Sequence, residues 1–121
     1  MLPRAARLTR SAEFSEVVRR GHRAGRPLLT VHADVDPRSA RPARAGLVVG
    51  RAVGGSVVRS RTSRRLRHLL RPRLAGLPAG TRLVVRAAPA AATATSEQLG
   101  RDLDAALRRL SARPPERPGR P

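Results

Sequence analysis

The side chains with the most evident chemistry lie in residues 53–71, VGGSVVRSRTSRRLRHLLR, where six guanidinium groups stand among barely enough apolar residues to make a helix. A guanidinium presents a planar fork of N–H donors, stays charged at any physiological pH and can stack on a nucleobase, which suits it to phosphate oxygens. The glycines Gly54 and Gly55 and then Ser56 add free backbone N–H groups and the positive end of a helix. A solvated helix face ordinarily mixes charge signs, yet residues 51–73 contain no acidic residue. A polyanion is the expected ligand of this segment.

The other reactive side chains do not assemble an active site. His22, His32 and His68 stand apart in a loop, a strand and the arginine helix, with no carboxylate at ligand spacing on a shared helix face. Asp102 and Asp104 are two apart on one helix, so they point in different directions and are expected to balance Arg101 and Arg108 rather than share a proton. The segment VGGS lacks the Lys and Ser/Thr pairing of a phosphate loop. With no cysteine there is neither a disulfide nor a thiolate metal site, which fits a reducing compartment, and the cytoplasm is the expected location. Phe14 is the only aromatic residue, which excludes an RNA module built on a sheet of stacked rings.

These groups are carried by 121 residues, the size of one domain with one modest core. The chain has 26 basic and 8 acidic residues, a net charge of +18, and every basic residue is arginine. The absence of lysine, beside abundant Ala, Pro and Gly, reads as a coding bias, but the net charge calls for a polyanion, with nucleic acid ahead of a membrane surface. No stretch approaches the ~18 apolar residues that span a bilayer. The N-terminal MLPRAARLTR lacks the apolar run of a secretory signal and is expected to belong to the mature protein.

The pattern predicts a helix capped by Ser11, with Phe14, Val17 and Val18 on its apolar stripe and Gly21 at its end. A strand follows over residues 28–35, its alternation placing Leu28, Thr30 and His32 on one face and Leu29, Val31 and Ala33 on the other. A loop from Asp36 to Arg44 leads to a short buried strand over residues 45–50. The arginine helix is expected to be capped at Ser56 and ended or kinked by Pro72. On it Val58, Thr62, Leu66, Leu69 and Leu70 share one side, Arg61, Arg64, Arg67 and Arg71 the other, with Arg65 at the boundary and Arg59 inside the apolar arc of the first turn. A strand at residues 81–87, a small-residue loop at 89–95 and a last helix complete the domain, that helix carrying Leu99, Leu103, Ala106, Leu107 and Leu110 on one stripe behind a Thr95/Gln98 capping box. The expected order is α-β-β-α-β-α, an α+β, split β-α-β, ribosomal-protein-like domain over residues 1–111, with a small sheet packed by helices. Two helices should cover one sheet face and leave part of the other open. Residues 112–121 have too little apolar content to order themselves and are expected to form a disordered tail.

The element order and residues 49–71, VGRAVGGSVVRSRTSRRLRHLLR, resemble the protein subunit of bacterial ribonuclease P. That family carries a lysine-rich strand end, a Gly-Asn-Ala-Val turn and an Arg-Asn-Arg-x-Lys-Arg helix, which read here as Arg51, then Gly54 to Val57, then Arg59 to Arg64. The segments EFSEVV, RPLLTVH, LVVRAAP and DLDAALRRL also fall in the family's order, so that about residues 1–110 are covered. Ala52, Gly55, Ser60 and Ser63 depart from the pattern. At Ser60 the family's amide, with two donors and a carbonyl acceptor, is reduced to one hydroxyl, and Arg65 is an additional cation.

The resemblance implies the protein component of a ribonucleoprotein endoribonuclease that removes the 5′ leader of precursor tRNA. The RNA subunit would carry out Mg²⁺-dependent hydrolysis while the protein helps bind the leader and the metal ions. Carried onto this sequence, it assigns the RNA subunit to Arg51, Arg59, Ser60, Arg61, Arg64, Arg65 and Arg67. It assigns the leader to a cleft with Phe14, Val18 and His32, with Arg7 and Arg10 nearby. The family often has aromatics where Val18 and His32 stand, so weaker stacking on leader bases is implied. The implied partners are the ribonuclease P RNA and precursor tRNA, with no small-molecule substrate and no metal site or catalytic residue assigned to the protein itself. The alternative is a ribosomal or ribosome-assembly RNA-binding protein without a catalytic role, and a nonspecific DNA-compacting protein is disfavoured by the folded-core pattern. Because no acid, base or metal set was found, the nuclease-treated, RNA-free protein is expected to leave precursor tRNA intact. Leader removal by such a preparation, followed on a gel, would overturn this reading.

Overall fold

The alternation in residues 28–35 sets the two sides of the molecule. In the computed structural model, which describes residues 2–112, β2 (Leu29–Val35) is an inner strand of a four-stranded sheet, flanked by β1 (His22–Gly25) and β4 (Thr81–Ala87). The strand β3 (Arg44–Val48) lies on the far side of β4, giving the order β1-β2-β4-β3. β1, β2 and β4 are antiparallel neighbours, whereas β3 runs parallel to β4. A parallel pair cannot be joined by a tight turn, and the arginine helix α2 (Ser56–Ala75) supplies the crossover.

Leu29 and Val31 pair with Ala87 and Val85, and on this face of the sheet they pack with Ala24, Ala45 and Leu83. Leu66, Leu70 and Leu74 of α2 and Leu99, Leu103 and Ala106 of α3 (Ser96–Ser111) close the same core. The predicted capping box is present, with Thr95 Oγ1 accepting from the Gln98 N–H at 3.1 Å and Gln98 Oε1 accepting from the Thr95 N–H at 2.9 Å. The other face carries α1 (Ser11–Arg20) on a smaller cluster of Leu8, Val17 and Val84, with Phe14, Val18 and Val48 against it. Two helices therefore cover one face, and α1 covers only part of the other.

Several expectations are corrected. β1 was read as a loop because only Ala24 of its four residues is buried, and its backbone pairing with β2 leaves no hydropathy signal. The helices start one residue earlier than expected: Arg10 and Gly55 are the capping residues, without side-chain cap bonds, and Ser11 and Ser56 are already helical. β3 spans Arg44–Val48, and Leu28, which precedes β2, packs toward α2 and α3 rather than beside Thr30 and His32. A 3₁₀ turn, Pro89–Thr93, occupies most of the expected loop.

Pro72 does not end α2, which continues to Ala75. Leu74 is buried in the core, and the Arg73 guanidinium binds Asp104 at 2.7 and 3.1 Å and the Leu69 carbonyl at 2.7 Å, so tertiary contacts hold the turn beyond the proline. The two aspartates of α3 are thus tied elsewhere than to Arg101. Asp104 takes Arg73, whose hydrogen bond and charge, with that of Arg108, hold its carboxyl below the usual range despite some burial. Asp102 is buried and accepts from the Leu28 N–H at 3.0 Å and Arg26 Nε at 3.3 Å, fixing the β1–β2 turn. The tail expectation lies outside the described residues except at Ala112, the cap of α3.

Removing the Asp102 carboxylate leaves the Leu28 amide without its acceptor. Asp102→Ala is expected to destabilise the fold by about 2–3 kcal/mol. Asp102→Asn, which keeps an acceptor for that amide, should lose less. Urea denaturation of the three proteins checks the order, and equal stability of Asp102→Ala and the parent would refute it.

Candidate RNA interface

The stripe of Thr62, Leu66, Leu70 and Leu74 turns α2 toward the core, and the Thr62 hydroxyl is satisfied by donating to the Val58 carbonyl at 2.9 Å. This orientation places Ser60, Arg61, Arg64, His68 and Arg71 on the exposed side. Arg67 is half-buried at the margin. Arg65 is partly a structural residue, since its Nη1 donates to the Ala94 carbonyl at 3.1 Å beyond the 3₁₀ turn. Arg59 is half-buried with its Nε atom shielded and without a protein partner, while Arg51 is exposed in the turn after β3. The face is rigid because its back is core, and no carboxylate interrupts it between Arg51 and Arg73. Such a surface meets phosphates at fixed spacing.

On the other side of the sheet, α1 forms one wall of a groove of about 410 Å³. Phe14, Val18 and Arg19 line it from the helix, and Val48, Val84 and Arg86 from the strands. The Phe14 ring lies directly on Gly46, where any Cβ would overlap the ring, so the glycine is required by this close approach. Two ion-pair sets hold the wall in place. Glu13 meets Arg44 at 2.9 Å, while Arg82 meets Glu16 at 2.6 Å and grips Asp34 through Nε at 3.0 Å and Nη2 at 2.7 Å. Burial alone would raise the Glu13 carboxyl, but the hydrogen bond and charge of Arg44 bring it below the usual range. The hydrogen bonds that Arg82 donates to Asp34, opposed by burial and assisted by Glu16, strengthen its hold on its proton.

The structure brings Phe14 and Val18 into one groove but does not put His32 on its lining. His32 is 8% exposed, next to Arg23 across the β1–β2 ladder, and its Nδ1 is shielded without a protein partner. Burial, then the charges of Arg86 and Arg23, push its pKa down and favour the neutral ring. Arg7 and Arg10 are exposed on the segment entering α1, where Arg7 bridges to Ala45 on β3. Arg19 and Arg86 were not singled out from the sequence. The strand period could have found Arg86, which shares a face with Val84 two residues before it.

The sequence matches the family model described as Ribonuclease P over residues 2–111. The chain belongs to the ribonuclease P protein family. The ribonuclease P protein component of Streptomyces griseus is 57% identical over 117 residues, covering 91% of this chain and 95% of that protein. That of Mycobacterium sp. strain KMS is 53% identical over 114 residues, covering 93% and 96%. The fold is that of the Staphylococcus aureus ribonuclease P protein, with a TM-score of 0.76 at 21% identity over 85% of this chain and 93% of that one. The Thermotoga maritima protein gives 0.71 at 19% identity over 90% and 98%. As a ribonuclease P protein component, the chain is part of an endoribonuclease ribonucleoprotein. Among the described residues no helix is long and apolar enough to cross a membrane.

The donor set does not fit a protein-held Mg²⁺. Glu13, Glu16, Asp34, Asp102 and Asp104 are all engaged by arginines, and the described residues contain no group of three ligating side chains.

The buried imidazole carries a pH signature. Because His32 has a lower pKa in the fold than its ordinary 6.5, the unfolded chain binds its proton first, and the stability it contributes is present above pH 6.5 and lost as pH falls below it. The parent is expected to be less stable at pH 5.5 than at 7.5, and His32→Gln to show a smaller difference. Urea midpoints at both pH values check this, and an undiminished difference in His32→Gln would refute it.

Proposed function

We propose that this chain joins the RNA subunit of ribonuclease P to the 5′ leader of precursor tRNA and so promotes Mg²⁺-dependent removal of the leader. The observation that carries the reading is a guanidinium face on α2 and, across the sheet, a groove partly lined by β3, the strand that leads into α2. Val48 ends β3 in the groove, and the short turn after it leads into α2 at Ser56. One rigid body can therefore hold a folded RNA and a single strand on its two sides.

In this reading Arg51, Arg59, Ser60, Arg61, Arg64, Arg65 and Arg67 bind the RNA subunit through its phosphates, with Arg65 sharing its fork between Ala94 and RNA. The leader lies along Phe14 and Val18, with Arg19 and Arg86 flanking its phosphates or stacking on its bases. Arg7 and Arg10 extend the positive path, and His32 supports the sheet beside the groove. The RNA holds the Mg²⁺, since Glu13, Glu16, Asp34, Asp102 and Asp104 of the protein are engaged by arginines. The cytoplasm, where tRNA precursors are made in bacteria, is the corresponding place of work.

Reconstitution with a bacterial ribonuclease P RNA at low Mg²⁺ tests the function. Cleavage of precursor tRNA should be stimulated, and the absence of stimulation, with ribosomal RNA as the preferred ligand, would favour a scaffold protein instead. If about six guanidiniums meet phosphates, log affinity for the RNA should fall against log salt with a slope of roughly −4 to −5. Replacing Arg61 and Arg64 together with Gln should flatten that slope by roughly one to two units. An unchanged slope would place the RNA on another surface.

A further inference from the structure

Val57 is 77% exposed, whereas Val58, Leu66, Leu69, Leu70 and Leu74 of the same helix all pack into or against the core. At about 100° per residue Val57 points directly away from the Thr62–Leu66–Leu70–Leu74 stripe and lies within roughly 40° of both Arg61 and Arg64. Its neighbours at i+3 and i+4 are Ser60 and Arg61, so it has no apolar partner on its own helix. A β-branched residue there lowers helix propensity relative to alanine and buries nothing in return. In the turn and first helical position before it, Ala52, Gly55 and Ser56 are small and exposed beside the exposed Arg51, and a Cβ placed on Gly50 or Gly55 would meet nothing within 4 Å. Thus one exposed apolar side chain, preceded by small residues, stands at the end of a row of guanidiniums.

We propose that Val57 is an apolar anchor for structured RNA, packing against the ribose or base edge of a nucleotide whose neighbouring phosphates are held by Arg61 and Arg64. The inference rests on the assignment of RNA to this face of α2. The complementarity selects the partner: the positive field around Val57 repels other basic surfaces and draws a polyanion, and the apolar surface a nucleic acid offers at that range is its sugars and bases. The small residues at positions 52, 55 and 56 let the RNA backbone approach the helix start, where N–H groups are free. Val57 therefore supplies an increment of affinity that salt does not screen, beside guanidinium contacts that salt does.

The two kinds of contact separate by salt dependence. Binding of full-length Val57→Ser, Val57→Leu and Arg61→Gln to a bacterial ribonuclease P RNA is measured across a salt series, with melting of each protein in parallel. Val57→Ser should weaken binding by about five- to tenfold at every salt concentration, leaving the slope and the melting temperature as in the parent. Val57→Leu should restore most of the affinity, and Arg61→Gln should flatten the slope by about one. Parent-like affinity of Val57→Ser with an altered Arg61→Gln would overturn the anchor while leaving the RNA face standing. Parent-like behaviour of both would remove RNA from this face altogether. A change in self-association of the RNA-free Val57→Ser protein, with RNA affinity unchanged, would make Val57 a protein contact and overturn the proposal.

Discussion

Arg82 receives two carboxylates, Asp34 from the neighbouring strand and Glu16 from α1, and this junction places everything on its side of the sheet. Helix α1 has only Val17 fully buried, so its apolar contact alone is slight. The ion pairs, with Glu13 on Arg44, fix where the helix crosses the strands and hence where Phe14 and Val18 stand. The pairs are more than half-buried, which makes each dependent on the other for its missing hydration. Without this clamp the groove would have no wall.

The same accounting explains the contrast between the two faces of the charge distribution. With eight acidic residues against 26 basic ones, carboxylates are scarce, and the described ones are mostly spent inside the fold. Asp102 secures the β1–β2 turn, Asp104 secures the end of α2, and Asp36 accepts from the Arg38 N–H in its own loop. Glu97 sits in the first turn of α3, where the helix end favours a negative charge. Among the described residues no carboxylate pairs with Arg61, Arg64, Arg67 or Arg71 on the outer side of α2. The protein keeps its folded state by pairing a few arginines and presents the others to a ligand.

The helices and the inner strands were legible because their signals are periodic and their faces are buried. The α2 and α3 stripes, the alternation of β2, the boundaries of β4 and the capping box all follow from that pattern. What escaped the sequence depends on contacts between distant residues. β1 is defined by backbone pairing, the run of α2 past Pro72 by Leu74 and Arg73, and the partners of Asp102 and Asp104 by the docking of α3. The arginine face was readable from one segment, but the groove was reachable only by likeness, since Phe14, Arg19, Val48 and Arg86 meet through the sheet. The place of His32 beside rather than on that groove could not be read from its strand alone.

The sheet order also has a kinetic meaning. β4 follows β2 and β3 along the chain, yet it lies between them in the sheet and pairs with both. Until residues 81–87 have left the ribosome, the sheet consists of a β1–β2 hairpin and an unattached β3, and α1 has no Val84 to rest on. α2 precedes β4, so a helix of concentrated positive charge is synthesised before the strand that will hold it down. Closure is consequently a non-local event, the slow kind in folding. During that interval the nascent chain already exposes the part that attracts RNA, and a polyanion that relieves its self-repulsion would favour closure as well as follow from it.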